Sequence, residues 1–115
     1  WCTFWTAAEL TERVYLATYK DLFEDGNKVY PLEIWRNWKE AALAVLDDIG
    51  GREKVSDSHY ETVKRALDER QDRSLVVTTN LTPEALTEVY DDRIASRLAG
   101  GTVVYVGGND RRLEA

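Results

Sequence analysis

Residues 43–50 read LAVLDDIG. Four apolar residues run straight into two carboxylates, Asp47 and Asp48, then into Ile49 and the glycines at 50 and 51. An unpaired carboxylate is costly to bury, and two adjacent ones cost more. Solvent, a basic partner or a metal ion must meet that charge. An adjacent acid pair suits Mg²⁺, with Asp47 holding the ion and Asp48 orienting a water. The plainer reading is a pair of aspartates opening a solvated turn. Three further groups can take part. In VVTTN (76–80), Asn80 can contact a phosphate or an attacking water, or simply belong to the turn into the next helix. In DRIASRL (92–98), Arg93 and Arg97 are four apart and share a helix face. Arg97 can reach a neighbouring subunit's phosphate site and stabilise transition-state charge, or pair on the surface with Asp91, Asp92 or Glu88. In NDRRL (109–113), Arg111 and Arg112 can touch a γ-phosphate or stay solvated.

The surrounding elements must position these groups. WCTFWT (1–6) is aromatic and β-prone and reads as a strand. Thr6 and Glu9 have capping-box spacing, opening a helix that runs to about Phe23 and stops at EDGN (24–27). Residues 30–40 read as a short helix or turn whose Trp35 and Trp38 cover the edge of a core. Residues 41–47 read as a second strand, buried on both faces. Residues 56–72 read as a helix, with Ser58 and Glu61 at capping-box spacing, and 74–80 as a third strand. A helix over 81–90 has Thr82 as N-cap and Pro83 in the first turn. A helix over 91–101 is closed by Gly100, and TVVYV (102–106) is the last strand. Strands alternating with helices predict an α/β fold with a parallel sheet flanked by helices. Ligands bind such sheets at the carboxyl ends of the strands, where Asp47–Asp48 and Thr78–Asn80 fall.

Composition narrows the classes. The 115 residues suit one domain or a large piece of one, and an apolar fraction of 43% is enough for a core. A net charge of −6 argues against holding nucleic acid by bulk electrostatics but leaves room for a local basic patch. One cysteine, Cys2, and one histidine, His59, exclude a disulfide framework, a Cys-based metal cluster and a multi-His site. No run approaches the roughly 18 apolar residues of a membrane helix, and no signal peptide is evident. The expectation is a cytoplasmic setting without membrane contact. A strand-like start and the lack of any methionine lead us to expect a fragment.

Taken in order, LAVLDDIG, VVTTNLTPEAL, DDRIASRLAGG and VVYVGGNDRRL resemble the AAA+ ATPases of the DnaC/IstB type, over about Phe4 to Leu113. TTNL followed by RIASRL is the most specific part. The resemblance implies a P-loop NTPase (AAA+) type sheet, ATP and Mg²⁺ as cofactors, and a homo-oligomeric ring or spiral on DNA in a bacterial or phage-infected cytoplasm. Asp47 then matches the Mg²⁺-binding Walker B acid, Asp48 the adjacent catalytic acid and Asn80 the sensor-1 residue. Arg97 matches the arginine finger acting in trans with Arg93 in support, and Arg112, or else Arg111, the sensor-2 arginine. The departure is the phosphate loop: no G-x-x-x-x-G-K-[ST] occurs in the chain. Residues 1–115 therefore read as a partial AAA+ core, Walker B to sensor 2, lacking the central first strand. Two expectations follow: weak or no ATP binding and no activity by this chain alone, and a gap or rearranged pairing between 74–79 and 102–106. The function implied is that of a DnaC-type helicase loader, with a replicative helicase as partner. The alternatives are an IstB-type transposase helper, with a transposase as partner, and a degenerate docking subunit that does no catalysis. A receiver domain also carries an acidic pair after an apolar strand, but no later strand here ends in Asp and no matching lysine follows the last one.

Overall fold

The computed structural model describes residues 1–50 and 55–101. The elements are β1 (Cys2–Thr6), α1 (Ala7–Tyr19), β2 (Leu22–Glu24), β3 (Asn27–Val29), α2 (Pro31–Glu40), β4 (Leu43–Ile49), α3 (Asp57–Glu69), β5 (Leu75–Thr79), α4 (Pro83–Val89) and α5 (Asp92–Ala99). β1, β4 and β5 form a parallel sheet in that spatial order, as the alternation of strands and helices predicts. The last predicted strand, 102–106, and the expected gap beside it lie outside the described residues.

Local chemistry sets most of the boundaries. Thr6 caps α1 by accepting from the Glu9 backbone N–H at 3.0 Å, while its own N–H donates to Glu9 Oε1 at 3.1 Å. Thr82 caps α4 by accepting from the Ala85 N–H at 3.1 Å, with Pro83 in the first turn. Three details differ from the sequence reading. α1 ends at Tyr19, and Leu22–Val29 form a β-hairpin instead of a helix end. Its turn is Asp25–Gly26, with φ of 53° and 79°, the left-handed pair that a tight hairpin demands. α3 is capped by Ser56, which accepts from the His59 N–H at 3.1 Å, and not by Ser58. Trp35 and Trp38 are buried in the core instead of covering its edge, and the Trp38 indole donates to the Ala66 carbonyl at 2.9 Å.

Strand order explains the layering. The chain moves β1 to β4 to β5 in one direction, and right-handed crossovers then place their helices on the same face. α1, α2 and α3 do pack against one another there, closing over Leu10, Ala44, Leu46, Ile49, Val63 and Ala66, all fully buried. β4 is thus fully buried on one face and half-buried on the other, not buried on both as its apolar run suggests. The opposite face carries Phe4, Val45 and Val76 in one register row, with Phe4 59% and Val76 46% exposed. Among the described residues no helix is long and apolar enough to cross a membrane.

Candidate functional site

β4 runs to Ile49, two residues past the 41–47 of the sequence reading, and so carries both acids within its last residues. Leu46 pairs with Val77, and the next pair is Ile49 with Thr79, so β4 has one residue more than β5 and bulges at Asp47–Asp48. Asp48 has φ of 58°, a conformation that aspartate tolerates better than most residues. The extra residue re-aims the chain. Ala44 and Leu46 point at the helices, and strict alternation would send Asp48 in after them. With the bulge, Ile49 fills the buried position and Asp48 stays exposed. Two adjacent carboxylates are thereby tolerated at the end of a buried strand.

Two threonines on β5 fasten the bulge. The Thr78 hydroxyl accepts from the Asp48 backbone N–H at 2.8 Å and donates to an Asp47 carboxylate oxygen. The Thr79 hydroxyl donates to the Ile49 carbonyl at 2.8 Å and accepts from the Leu81 N–H at 3.1 Å. These side-chain bonds stand in for the ladder bonds that a bulge removes. On the other edge, Thr6 is the register partner of Asp47.

Past the acids the chain turns at Gly50, φ 71°. A Cβ there would run into the Leu81 side chain and lie 3.4 Å from the Tyr90 ring. Tyr90, at the α4–α5 joint, is 8% exposed. Its hydroxyl lies 2.8 Å from His59 Nε2, with the rings stacked 5.7 Å apart. Burial pushes the Tyr90 phenol up to about 12, against the pull of the Gly50 backbone N–H and with a push from the Asp48 charge. Next to it the Tyr60 hydroxyl donates to Asp91, which caps α5 by accepting from the Ile94 N–H at 2.9 Å. The Tyr60 hydrogen bond, helped by that of Ile94, holds the Asp91 carboxyl below its ordinary range. The α4–α5 pair is thus clasped to α3 beside the acidic turn.

The arrangement of this sheet and its helices is also found in solved structures of replication proteins. AMPPCP-bound DnaA from Aquifex aeolicus superposes with a TM-score of 0.71 at 16% identity, over 90% of this chain and 30% of that one. The DnaC helicase loader gives 0.64 at 16% identity, over 85% of this chain and 56% of that one. A DNA replication initiation factor gives 0.71 at 17% identity, over 98% of this chain and 33% of that one. The fold is of the AAA+ P-loop type. The chain spans about a third to a little over half the length of these solved chains. No family model matches the sequence, and no curated protein matches it.

Within this AAA+ fold the sequence-predicted residues are distributed unevenly. Asp47 and Asp48 share the bulge. Asn80 lies just beyond β5, exposed, with no side-chain hydrogen bond among the described residues. Arg97, on α5, pairs with Asp68 and donates to the Leu67 carbonyl at 3.4 Å. That is the last turn of α3, where carbonyls and helix dipole favour a cation. Its partner is therefore Asp68, not Asp91, Asp92 or Glu88. Arg93 is exposed and has no ion pair among the described residues. Arg111 and Arg112 lie outside the described residues. The residue that sequence reasoning passed over is Thr78. Its signal was the hydroxyl pair in VVTTN, whose role depends on a bulge in another strand.

Asp47 and Asp48 offer hard oxygens of the kind that Mg²⁺ takes; among the described residues there is no group of three or more His, Cys, Asp or Glu side chains that could hold a metal ion. Mg²⁺ is commonly held by one or two carboxylates, the remaining positions going to water and phosphate.

Proposed function

We propose that this chain is part of a nucleotide-hydrolysing AAA+ core that acts in DNA replication as a helicase loader does. The observation that carries the reading is the acidic bulge, Asp47–Asp48 held by Thr78, at the carboxyl end of the middle strand of a fold shared with AMPPCP-bound DnaA and the DnaC helicase loader. Asp47 would hold Mg²⁺, which supplies charge neutralisation at nucleotide phosphates when bound. The Asp48 carboxylate accepts a hydrogen bond from the attacking water and draws its proton away. Thr78 keeps Asp47 in one orientation. Asn80, unengaged at the neighbouring strand tip, contacts the γ-phosphate or that water.

Arg97 acts across a subunit interface in this reading, supported by Arg93, with Arg112 or Arg111 completing the phosphate contacts in cis. Arg97 must first leave Asp68. Its side chain is 32% and that of Asp68 47% exposed, and ion pairs so open contribute only about 0–1 kcal/mol. A neighbouring nucleotide's charge can outcompete that. The implied partners are DNA, a replicative helicase and further copies of the same protein. A transposase replaces the helicase if the protein is an IstB-type helper.

The second reading is a docking subunit without catalysis. The sequence has no phosphate loop, and Arg97 is engaged within its own chain. One experiment separates the two. In a protein carrying this chain together with a phosphate loop, Asp47→Asn should lower ATP turnover by about 100-fold or more while nucleotide affinity changes only a few-fold. Unchanged turnover removes the catalytic reading and leaves the docking one.

A further inference from the structure

The chain is acidic overall, with net charge −6, yet one groove gathers cations. Between α2 and α3 a cleft of about 350 Å³ is walled by Arg36 and Lys39 from α2, Arg65 from α3 and Arg73 from the turn after it. Arg65 pairs with Glu69 at 3.3 Å and lies over the Trp35 ring at 4.9 Å. Arg36, Lys39 and Arg73 are exposed and have no ion pair among the described residues. Leu32 stands at the lip, 62% exposed. Because Arg73 directly precedes Ser74 and β5, this groove opens toward the amino ends of the strands, opposite the acidic turn.

We propose that this groove docks an acidic, amphipathic segment of a partner protein. Three cations without an ion pair among the described residues are charge-complementary to its carboxylates, and Leu32 offers its apolar face a contact. α2 and α3, 10 and 13 residues long, span about 15 and 20 Å, room for a helix of three to four turns. Nucleic acid fits less well. Trp35, the aromatic residue lining the groove, is buried with Arg65 over its ring, so it offers little face on which to stack a base. Glu40 and Glu69 also interrupt the groove, where a phosphate backbone wants an unbroken positive track. The inference is independent of the nucleotide reading.

The test is fluorescence anisotropy on the chain with a labelled helical peptide of about 14 residues carrying Glu and Leu on opposite faces. The comparison probes are a peptide of equal charge with Ser replacing Leu, and a thymidine oligonucleotide. The expected result is that Arg36→Glu with Lys39→Glu weakens the Leu peptide about tenfold or more, and that Leu32→Ser or the Ser peptide costs several-fold. All three positions are exposed, and Arg36→Gln with Lys39→Gln serves if the charge reversal does not fold. Equal binding by the wild-type chain and the folded double variant overturns the proposal. So does indifference to both Leu32→Ser and the Ser peptide, or tighter binding of the oligonucleotide through the same cations.

Discussion

Arg70 and Thr78 stand at opposite ends of one sheet and treat its polar groups in opposite ways. Arg70, 1% exposed, sits where the chain enters β4 and β5. Its guanidinium donates to the carbonyls of Trp38 and Lys39 at 3.1 Å each, Ala42 at 3.4 Å, and to those of Ala41 and Ser74. The last carbonyls of α2 lack helical partners, and a planar fork of donors gathers them as an ammonium could not. Thr78 is exposed and works where the chain leaves the strands, its one hydroxyl joining the Asp47 carboxylate to the Asp48 backbone N–H. At the entering end one buried guanidinium ties three segments together. The leaving end is wet, lightly tied and rich in acceptors. Rigidity is concentrated away from the groups that would exchange partners during a reaction.

The largest test of this contrast is Arg70→Met. It strands several buried carbonyls and should cost about 3 kcal/mol or more, read by urea unfolding; a loss below about 1 kcal/mol would break the comparison. Gly50→Ala probes the joint between the acidic turn and the helices. A positive φ and the Leu81 side chain in the way predict a loss of about 1–2 kcal/mol by the same assay. The smallest global effect is expected from Thr78→Val, about 1 kcal/mol or less, because the freed groups are exposed to water. Its mark should be local. Hydrogen exchange at the Asp48 amide should accelerate markedly, and an unchanged rate would mean that the hydroxyl does not hold the bulge.

The sequence made some of this readable and concealed the rest for physical reasons. The caps at Thr6 and Thr82 are local, and each was found because its partner lies three residues away. The acidic pair and its strand were found because the apolar run is continuous. The hairpin at Asp25–Gly26 is signalled by its Asp-Gly pair, but three-residue strands are too short to show alternation, and apolar Leu22 and Phe23 extend the helix reading into the first of them. Ser56 and Ser58 offer the same hydroxyl two residues apart, so spacing alone chose the wrong cap. Arg70 was invisible because most of its partners lie about thirty residues away and are backbone carbonyls, which no side-chain pattern records. The bulge was equally hidden, since it is a relation between two strands and not a property of LAVLDDIG.

The all-parallel pairing also has a kinetic meaning. Cys2 pairs with Leu43 and Ala44 with Leu75, partners separated by roughly 30 to 40 residues of chain, so each pairing must close a long loop before any contact rewards it. The β2–β3 hairpin, with partners only a few residues apart, bears no such delay. Order can therefore begin in the helices and the small hairpin, whereas the strand ends that carry the acids acquire their shape only when β4 and β5 meet.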